Sequence, residues 1–477
     1  MMLRSKIRVR YAAVLIFLIC TITLINARAE NWRQIIVKCS PEDIDQIQNE
    51  VGGAVVDGID GHYLITVPSS TNAERIESIH GKNSIQASDN APVVIPRNAP
   101  RTAPSTIATS SGGSSRLGPI VDWYGTPARL AYTTQPVVAK IELKQALNVA
   151  TGSGVRVAVI DSGIDLEHPT LKSVIFGGKN YVGRTPVPSF LDDPTIPALS
   201  QSTANFLEQS TANFLEQSAA NFLEQSTANF LEQSTANFLE QAGIGIFLNQ
   251  STANFLEGTT LPPFAGHGTM MAGVIHLVAP QARIMPFKAF DARGEGTEWN
   301  VVHAIYDAIA SGADVINMSS STLQKSKIVQ AAIRTAVSRG IIVVGSAGNS
   351  GAEVETYPAA FSGAIGVSAL DLNDEKAPFS NYGRYVDVSA TGTDLISTFP
   401  GGHWASSSGT SPAAATVSGV AALVKQSKQG REDSAPRMIE NGVDPIRTPA
   451  AYFHKLGKGR VNAFAAVSRE AGDTNDE

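Results

Sequence analysis

VRVAVID, residues 155–161, is a nearly continuous apolar run that ends in an acid. Three later runs have the same character: ARIMPFKAF (282–290), ADVINMS (313–319) and GIIVVGSAG (340–348). Apolar runs without alternation are typical of strands buried on both faces of a sheet. Helical patterns stand between them, namely HGTMMAGVIHLV, EWNVVHAIYDAIASG and KIVQAAIRTAVSRG. This order predicts an α/β domain with a doubly wound, mostly parallel sheet, whose ligand sites lie beyond the carboxyl ends of the strands.

The chain is long enough for two domains. It has 477 residues, of which 43% are hydrophobic and 17% charged, so most of it is expected to fold around a core. The formal net charge is −6, and Lys and Arg are not clustered as they are on a nucleic-acid-binding surface. We therefore expect no nucleic-acid partner.

Residues 1–29 have the pattern of a secretory signal peptide. MLRSKIRVR is basic, an apolar run begins at YAAVLIFLIC and ends near Ile25, and ARA at 27–29 suits cleavage. The alternative is an uncleaved anchor, but the run is shorter than the roughly 18 residues that a spanning helix needs. We expect an exported protein, extracellular or periplasmic, without stable membrane insertion. The mature chain keeps one cysteine, Cys39, and therefore no internal disulfide.

A small α+β unit is predicted over residues 30–96. RQIIVKC and HYLITVP have strand character, and APVVIP is expected to close the unit. SPEDIDQIQNEVG begins with Ser40 as a cap and Pro41 in the first turn, which marks a helix start, and TNAERIESIH is a second helix. The order strand–helix–strand–helix–strand suits a ferredoxin-like sandwich.

Amino-acid composition predicts the boundaries of the linker, the α/β domain and the C-terminal tail. Residues 97–119 are rich in Pro, Ser, Thr and Gly and are predicted to be a linker, because such a segment cannot bury a core. The α/β domain is expected over residues 120–470, followed by an acidic tail at 471–477.

An octapeptide, QSTANFLE, recurs over residues 201–257. In a helix its Phe-Leu pair would rotate by about 80° per copy, so no single apolar face would form. In a strand the even period keeps each residue on one face, but the neighbouring Phe and Leu point to opposite faces. Short stacked strands, a loop and a partly helical insertion all remain open. The segment is either a tandem duplication tolerated in a surface loop or a binding surface.

Four polar residues stand at predicted strand or helix ends. Asp161 ends VAVID, and His267 begins a helix between glycines, where the helix N-terminus disfavours an imidazolium. Asn349 lies in GSAGNSG and could donate to an oxyanion, and Ser411 in SGTSPAAA could be a nucleophile. Taken singly, each has an ordinary structural interpretation as a cap, turn or packing residue.

The order Asp, His, Asn, Ser, with a strand-end acid first, is that of the subtilisin type. In its motifs the sequence resembles the subtilisin-like serine peptidases, the subtilases. VAVIDSGID is similar to the family's Asp motif, GHGTMMAGVI to its His motif, SAGNSG to its oxyanion motif and SGTSPAAATVSG to its Ser motif. The resemblance runs from about Ile141 to Ala466, apart from the repeat insertion.

The resemblance implies a subtilisin-type fold and a role for each residue. Ser411 would attack the peptide carbonyl, His267 would carry the proton and Asp161 would orient His267. Asn349 and the backbone N–H of Ser411 would hold the oxyanion. The segment 317–321 would pair with extended substrate, with Ser319, Ser320 and Ser321 lining the first specificity pocket.

The N-terminal unit in turn resembles subtilase propeptides. The resemblance implies a zymogen, with the propeptide as an intramolecular inhibitor and the linker as the processing region. The alternative is an accessory domain that is never removed.

Several positions depart from the family pattern. Pro412 follows the nucleophile where Met or Ala is usual, and its ring disfavours helical geometry at Ser411. Ala415 replaces the family's proline, and Met270 replaces a second His. Ser320 and Ser321 replace the usual Leu-Gly of the substrate edge, which puts substrate preference in doubt.

Calcium is common among subtilases, and this chain lacks one of the usual ligands. A common ligand position is Thr170 here, and Asp192 and Asp193 are candidates only. We expect no cofactor and assign no metal ligands, and calcium binding stays an open alternative.

The leading hypothesis is a secreted serine endopeptidase with polypeptide substrates, made as a zymogen. One alternative is a catalytically impaired subtilase-like binding protein that uses the repeat insertion as its contact surface. Another is a serine esterase or acyltransferase, but the chain has no G-x-S-x-G elbow. It also lacks H-E-x-x-H and a P-loop, so neither a metalloprotease nor a nucleotide enzyme is supported.

Overall fold

The computed structural model describes residues 32–78, 85–94, 107–108, 117–182, 264–427, 435–446 and 449–468. The chain divides into two compact units, Met1–Ala91 and Pro92–Glu477. The predicted signal peptide, the octapeptide repeats and the acidic tail lie outside the described residues.

The first unit is a four-stranded antiparallel sheet with two helices. Its elements are β1 Trp32–Lys38, α1 Pro41–Val51, β2 Ala54–Ile59, β3 His62–Pro68, α2 Ala73–Ser78 and β4 Gln86–Asp89. The sheet order β2-β3-β1-β4 and the chain order βαββαβ are those of a ferredoxin-like fold. Helix α1 starts where expected, with the Ser40 side chain accepting a bond from the N–H of Asp43.

The second unit contains the remaining strands and helices. Its strands are β5 Pro92–Val94, β6 Ile107–Ala108, β7 Ile120–Trp123, β8 Thr126–Arg129, β9 Arg156–Asp161, β10 Lys179–Asn180, β11 Arg283–Lys288, β12 Glu295–Thr297, β13 Val315–Met318, β14 Ile342–Ser346, β15 Ala364–Leu370, β16 Val388–Thr391, β17 Leu395–Phe399, β18 His403–Ser407, β19 Val443–Asp444 and β20 Arg460–Val461. Its helices are α3 Leu130–Thr134, α4 Pro136–Lys140, α5 Leu143–Leu147, α6 His267–Val278, α7 Glu298–Ala310, α8 Lys327–Ser338, α9 Thr410–Ser427, α10 Ala435–Asn441 and α11 Ala463–Ser468, with a 3₁₀ turn at Ala450–Tyr452.

Two details differ from the sequence prediction. Strand β2 was not predicted, because Asp57 and Gly58 interrupt its pattern and its pairing with β3 shifts register after Val55. APVVIP does not close the first unit. Its strand, β5, pairs antiparallel with β12 of the second unit instead, while β2 supplies the fourth strand of the first.

The main sheet has nine strands in the order β10-β11-β9-β13-β14-β15-β16-β20-β19. Every pair is parallel except β19 and β20. The chain leaves β9 for β11 on one side and later enters β13 on the other, so the winding reverses beside β9. The prediction of a doubly wound, mostly parallel sheet is confirmed, and this reversal marks where ligands bind in such sheets.

The helices pack on this sheet in two groups. Helices α7 and α8 pack together against β9, β11 and β14, and α6 and α9 pack together with α9 against β13–β16. Small residues let α9 approach α6 closely. A Cβ added to Gly419 would come within 2.6 Å of the Val278 side chain. Within the described residues, no helix is both long enough and apolar enough to span a membrane.

Candidate active site

The predicted site residues gather at the carboxyl edge of the sheet. Asp161 is the last residue of β9, Ser319 follows β13, and Asn349 lies just beyond β14. These three strands are parallel neighbours, so their carboxyl ends meet at one edge. Helices α6 and α9 begin at this edge, because His267 contacts Asp161 and Ser411 contacts Ser319.

Asp161 and His267 form a close pair. Nδ1 of His267 lies 2.8 Å from Oδ1 and 3.0 Å from Oδ2 of Asp161, whose side chain is buried. The N–H of Ser162 donates to the same carboxylate at 2.7 Å. With Nδ1–H bound to the acid, Nε2 of His267 is left as the proton acceptor, the tautomer that a general base needs.

A glycine makes this pairing sterically possible. A Cβ on Gly268 would lie 2.4 Å from the carbonyl oxygen of Gly163 and 3.1 Å from Cβ of Asp161. Only a residue without a side chain lets the start of α6 sit this close to the turn after β9. Gly268 therefore permits the close approach of the start of α6 to the segment after β9.

Ser411 sits in the first turn of α9 and is 7% exposed. Its hydroxyl donates to the carbonyl oxygen of Ser319 at 3.0 Å, and the Ser319 hydroxyl donates back to the carbonyl oxygen of Ser411 at 3.1 Å. The helix begins at Thr410 in spite of Pro412, whose missing N–H costs nothing in a first turn. Two further departures, Ala415 and Met270, are buried core residues.

Asn349 is held by Thr410, the residue before Ser411. The N–H and hydroxyl of Thr410 contact Oδ1 of Asn349 at 2.8 and 3.0 Å, which leaves Nδ2 as its donor. A Cβ placed on Gly409 would be 3.5 Å from that Nδ2 and 3.7 Å from the N of Ser411. The two nitrogens that the sequence analysis assigns to the oxyanion, Nδ2 of Asn349 and the backbone N of Ser411, therefore both lie near Gly409. Sequence reasoning missed Thr410, although it directly precedes Ser411.

The three serines of the predicted substrate edge are all buried but have different surroundings. Ser319 exchanges hydrogen bonds with Ser411, as described above. Ser320 lines a depression that opens to solvent and measures about 390 Å³ with its solvent-filled part included; it is called the cavity below. Ser321 faces Gly348, with its Oγ 3.2 Å from where a Cβ on that glycine would lie. The cavity is otherwise lined by Glu298, Val301, Met318, Thr322, Gln324, Ser326, Val329, Tyr357, Pro358 and Phe361.

Strand β5 is an extended segment that pairs with β12, next to the helix that lines this cavity. Strand β5 pairs antiparallel with β12, with Val93 opposite Gly296. Strand β12 leads directly into α7, whose Glu298 and Val301 line the cavity. The edge of β12 can therefore accept an extended polypeptide backbone by strand addition.

The described residues contain no cluster of His, Cys, Asp and Glu suited to hold a metal ion. Thr170 donates its hydroxyl to the carbonyl oxygen of Pro127 at 2.7 Å and offers no acidic ligand. Asp192 and Asp193 lie outside the described residues.

Comparison with known proteins agrees with this geometry. The model of the subtilase family matches residues 152–443. Thermitase from Thermoactinomyces vulgaris is 32% identical over 339 residues, which cover 69% of this chain and 94% of thermitase. A thermophilic serine proteinase from Bacillus sp. (strain AK1) is 38% identical over 42% of this chain and 52% of its own length. Subtilisin Savinase from Lederbergia lenta is 37% identical over 42% of this chain and 77% of its own length. With a family match across most of the α/β domain, the chain belongs to the subtilase family of serine peptidases.

Proposed function

We propose that the protein is a secreted serine endopeptidase, made as a zymogen, that cleaves polypeptides through an acyl-enzyme. The observation that carries this proposal is the bond from His267 to Asp161 at the same sheet edge as Ser411, with Nδ2 of Asn349 and the N of Ser411 both near Gly409. A base with a fixed tautomer, a nucleophile and an oxyanion site are the three requirements of acyl transfer by a serine.

The proposed reaction gives each of these residues one role. Nε2 of His267 takes the proton of Ser411 as Oγ leaves the carbonyl of Ser319 and attacks the substrate carbonyl carbon. The oxyanion accepts bonds from Nδ2 of Asn349 and the N–H of Ser411. His267 then gives the proton to the leaving amine, and the same steps with water release the acid. Asp161 stabilises the imidazolium and holds the ring in place.

The surroundings of the site favour an extended polypeptide over a small ester. The edge of β12 accepts a backbone in the antiparallel direction, and the cavity beside Ser320 offers room for a side chain. Main-chain pairing supplies affinity and side-chain pockets supply selectivity in this kind of recognition.

The zymogen proposal rests on β5. In the full chain this segment follows the ferredoxin-like unit and pairs with β12, where substrate backbone would bind. A segment held there competes with substrate, so the first unit acts as a propeptide that inhibits until it is released. Export is proposed from the signal-peptide pattern of residues 1–29; a precursor that stays in the cytoplasm on cell fractionation would contradict it.

The test of the proposed activity is labelling by a fluorophosphonate, which reacts with an activated serine. Processed protein is labelled and the adduct is mapped by peptide mass spectrometry. Labelling at Ser411 that disappears in His267→Ala supports the peptidase. A folded, processed protein that takes no label would instead favour the impaired, binding-protein alternative.

A further inference from the structure

Asn381, a buried residue outside the predicted motifs, bonds to the chain on both sides of Asn349. Its N–H donates to the carbonyl oxygen of Gly348 at 2.9 Å. Its side-chain Oδ1 accepts bonds from the N–H of Ser350 at 2.9 Å, from the hydroxyl of Ser350 at 2.7 Å and from the N–H of Ala352 at 3.2 Å. Asn349 therefore lies between two residues that Asn381 holds directly.

Asn381 is itself anchored to the main sheet and is only 2% exposed. The Ser380 hydroxyl donates to the carbonyl oxygen of Asn381 at 3.0 Å and accepts a bond from the N–H of Ala369, in β15, at 2.9 Å. Nζ of Lys376 donates to the carbonyl oxygen of Ser380 at 3.1 Å. Since β15 pairs with β14, whose end leads to Asn349, these bonds tie the segment after β14 to the neighbouring strand.

Gly348 lets the two segments come this close. Its φ of +93° is a conformation that residues with a side chain rarely adopt, and a Cβ on it would lie 2.6 Å from Nδ2 of Asn381. On its other side, the N–H of Gly348 donates to the hydroxyl of Thr410 at 3.0 Å. The backbone around Asn349 is thus held by Asn381, while the Asn349 side chain is held by Thr410.

We propose that Asn381 is a positioning residue for the oxyanion. It holds the backbone on both sides of Asn349 and so fixes where the Nδ2 donor of that residue lies. This inference rests on the proposed endopeptidase activity and extends its oxyanion site to a residue that acts through Asn349. A donor that is fixed in advance favours the transition state over bound substrate, so a looser segment should cost turnover more than binding.

The main experiment is a double-mutant cycle between Asn381 and Asn349, read as kcat and KM on one peptide substrate. Asn381→Ala removes the acceptor of the side-chain bonds and should lower kcat about tenfold with KM nearly unchanged. In an Asn349→Ala background the same change should lower kcat by less than about twofold, because the donor that it positions is gone. Asn373→Ala, in the exposed turn after β15, is the matched control and should leave kcat unchanged.

All variants are compared as processed protein, and the comparison must not depend on their ability to process themselves. Immobilised trypsin cuts after arginine, and Arg97 and Arg101 lie in the predicted linker. Each precursor is therefore cleaved with trypsin, which is then removed, and mass spectrometry checks that every variant gives the same product.

Ser350→Ala is the second variant if Asn381→Ala folds poorly, because Ser350 is exposed and loses only its hydroxyl bond to Asn381. It should lower kcat about threefold, and again much less in the Asn349→Ala background.

Full kcat in Asn381→Ala, or in Ser350→Ala where only that variant folds, would overturn the inference. An equal loss of kcat with and without the Asn349 amide would overturn it as well, since Asn381 would then support the fold in general. An unmodified enzyme with neither turnover nor fluorophosphonate labelling would overturn the proposed activity itself. That result is distinct from an active enzyme that tolerates the loss of Asn381.

Discussion

Thr410 donates two hydrogen bonds to Oδ1 of Asn349, one from its N–H at 2.8 Å and one from its hydroxyl at 3.0 Å. The same hydroxyl accepts a bond from the N–H of Gly348 at 3.0 Å. Thr410, which precedes Ser411, thus orients the side-chain amide of Asn349. Under the proposed mechanism, part of the oxyanion geometry therefore depends on a residue that takes no part in the chemistry.

Thr410→Val should lower kcat by about tenfold and leave KM nearly unchanged, because one of two bonds that orient the Asn349 amide is lost. Asn349→Ala removes the donor itself and should cost roughly 100-fold or more in kcat. Steady-state kinetics on a peptide substrate measure both effects. Thr410→Ser keeps the hydroxyl and should stay close to the unmodified enzyme. A Thr410→Val variant with full kcat would contradict the proposal that Thr410 orients Asn349 for the reaction.

Ser411→Ala should leave the precursor folded but uncleaved if the protein releases its own propeptide. In the active protein we expect the new N-terminus between residues 95 and 106. Strand β5 at 92–94 lies on β12, and β6 at 107–108 pairs with Trp404 and Ala405 of β18, so the cut falls between them. N-terminal sequencing of the secreted protein checks the position. Normal processing of Ser411→Ala would mean that another protease cuts the chain.

Acid should destabilise the second unit through buried histidines. Burial lowers the pKa of His276 from 6.5 to about 3 and that of His403 from 6.5 to about 4. Burial also lowers the pKa of His168, whose Nε2 lies 3.0 Å from the carbonyl oxygen of His403. Between these values and 6.5 the unfolded chain binds protons that the folded chain does not, so stability is full above pH 6.5 and falls as the pH drops towards 4.

The size of the acid effect can be measured by urea unfolding of processed protein between pH 8 and pH 4.5. His276 alone should cost on the order of 3 kcal/mol of unfolding free energy at pH 4.5. Nε2 of His276 lies 2.9 Å from Oγ1 of Thr126, and His276→Gln can keep a donor near that position. We expect His276→Gln to have a shallower dependence on pH. Equal urea midpoints at pH 8 and pH 4.5 in the unmodified protein would contradict the prediction.

Gly419→Ala should destabilise the protein by roughly 1–3 kcal/mol, because the new Cβ would overlap Val278 across the contact between α6 and α9. Activity per folded molecule should change little, since Gly419 lies two turns beyond Ser411. Val278→Ala combined with Gly419→Ala makes space for the methyl and should cost less than the two single changes added together. Additive effects would show that the two positions do not compete for one space.

Local sequence patterns were enough to predict much of the fold. The four apolar runs from 155 to 348 predicted buried parallel strands, because a strand covered on both faces needs apolar residues at every position. Strand β2 was not predicted, because it lacks such an apolar pattern. It is mostly exposed and irregular in register, so its sequence lacks a strand period and its pairing with β3 defines it.

The sequence by itself determined the α/β class and the start of α1, and it predicted Asp161, His267, Asn349 and Ser411 as site residues, since these inferences depend on residue type and on order along the chain. Only the tertiary structure decided what lies around them. The bonds from Thr410 to Asn349 and the pairing of β5 with β12, rather than with the strands of the first unit, join segments that are 61 and about 200 residues apart. Such contacts leave no local period in the sequence, because they are set by which strand ends the sheet brings to one edge.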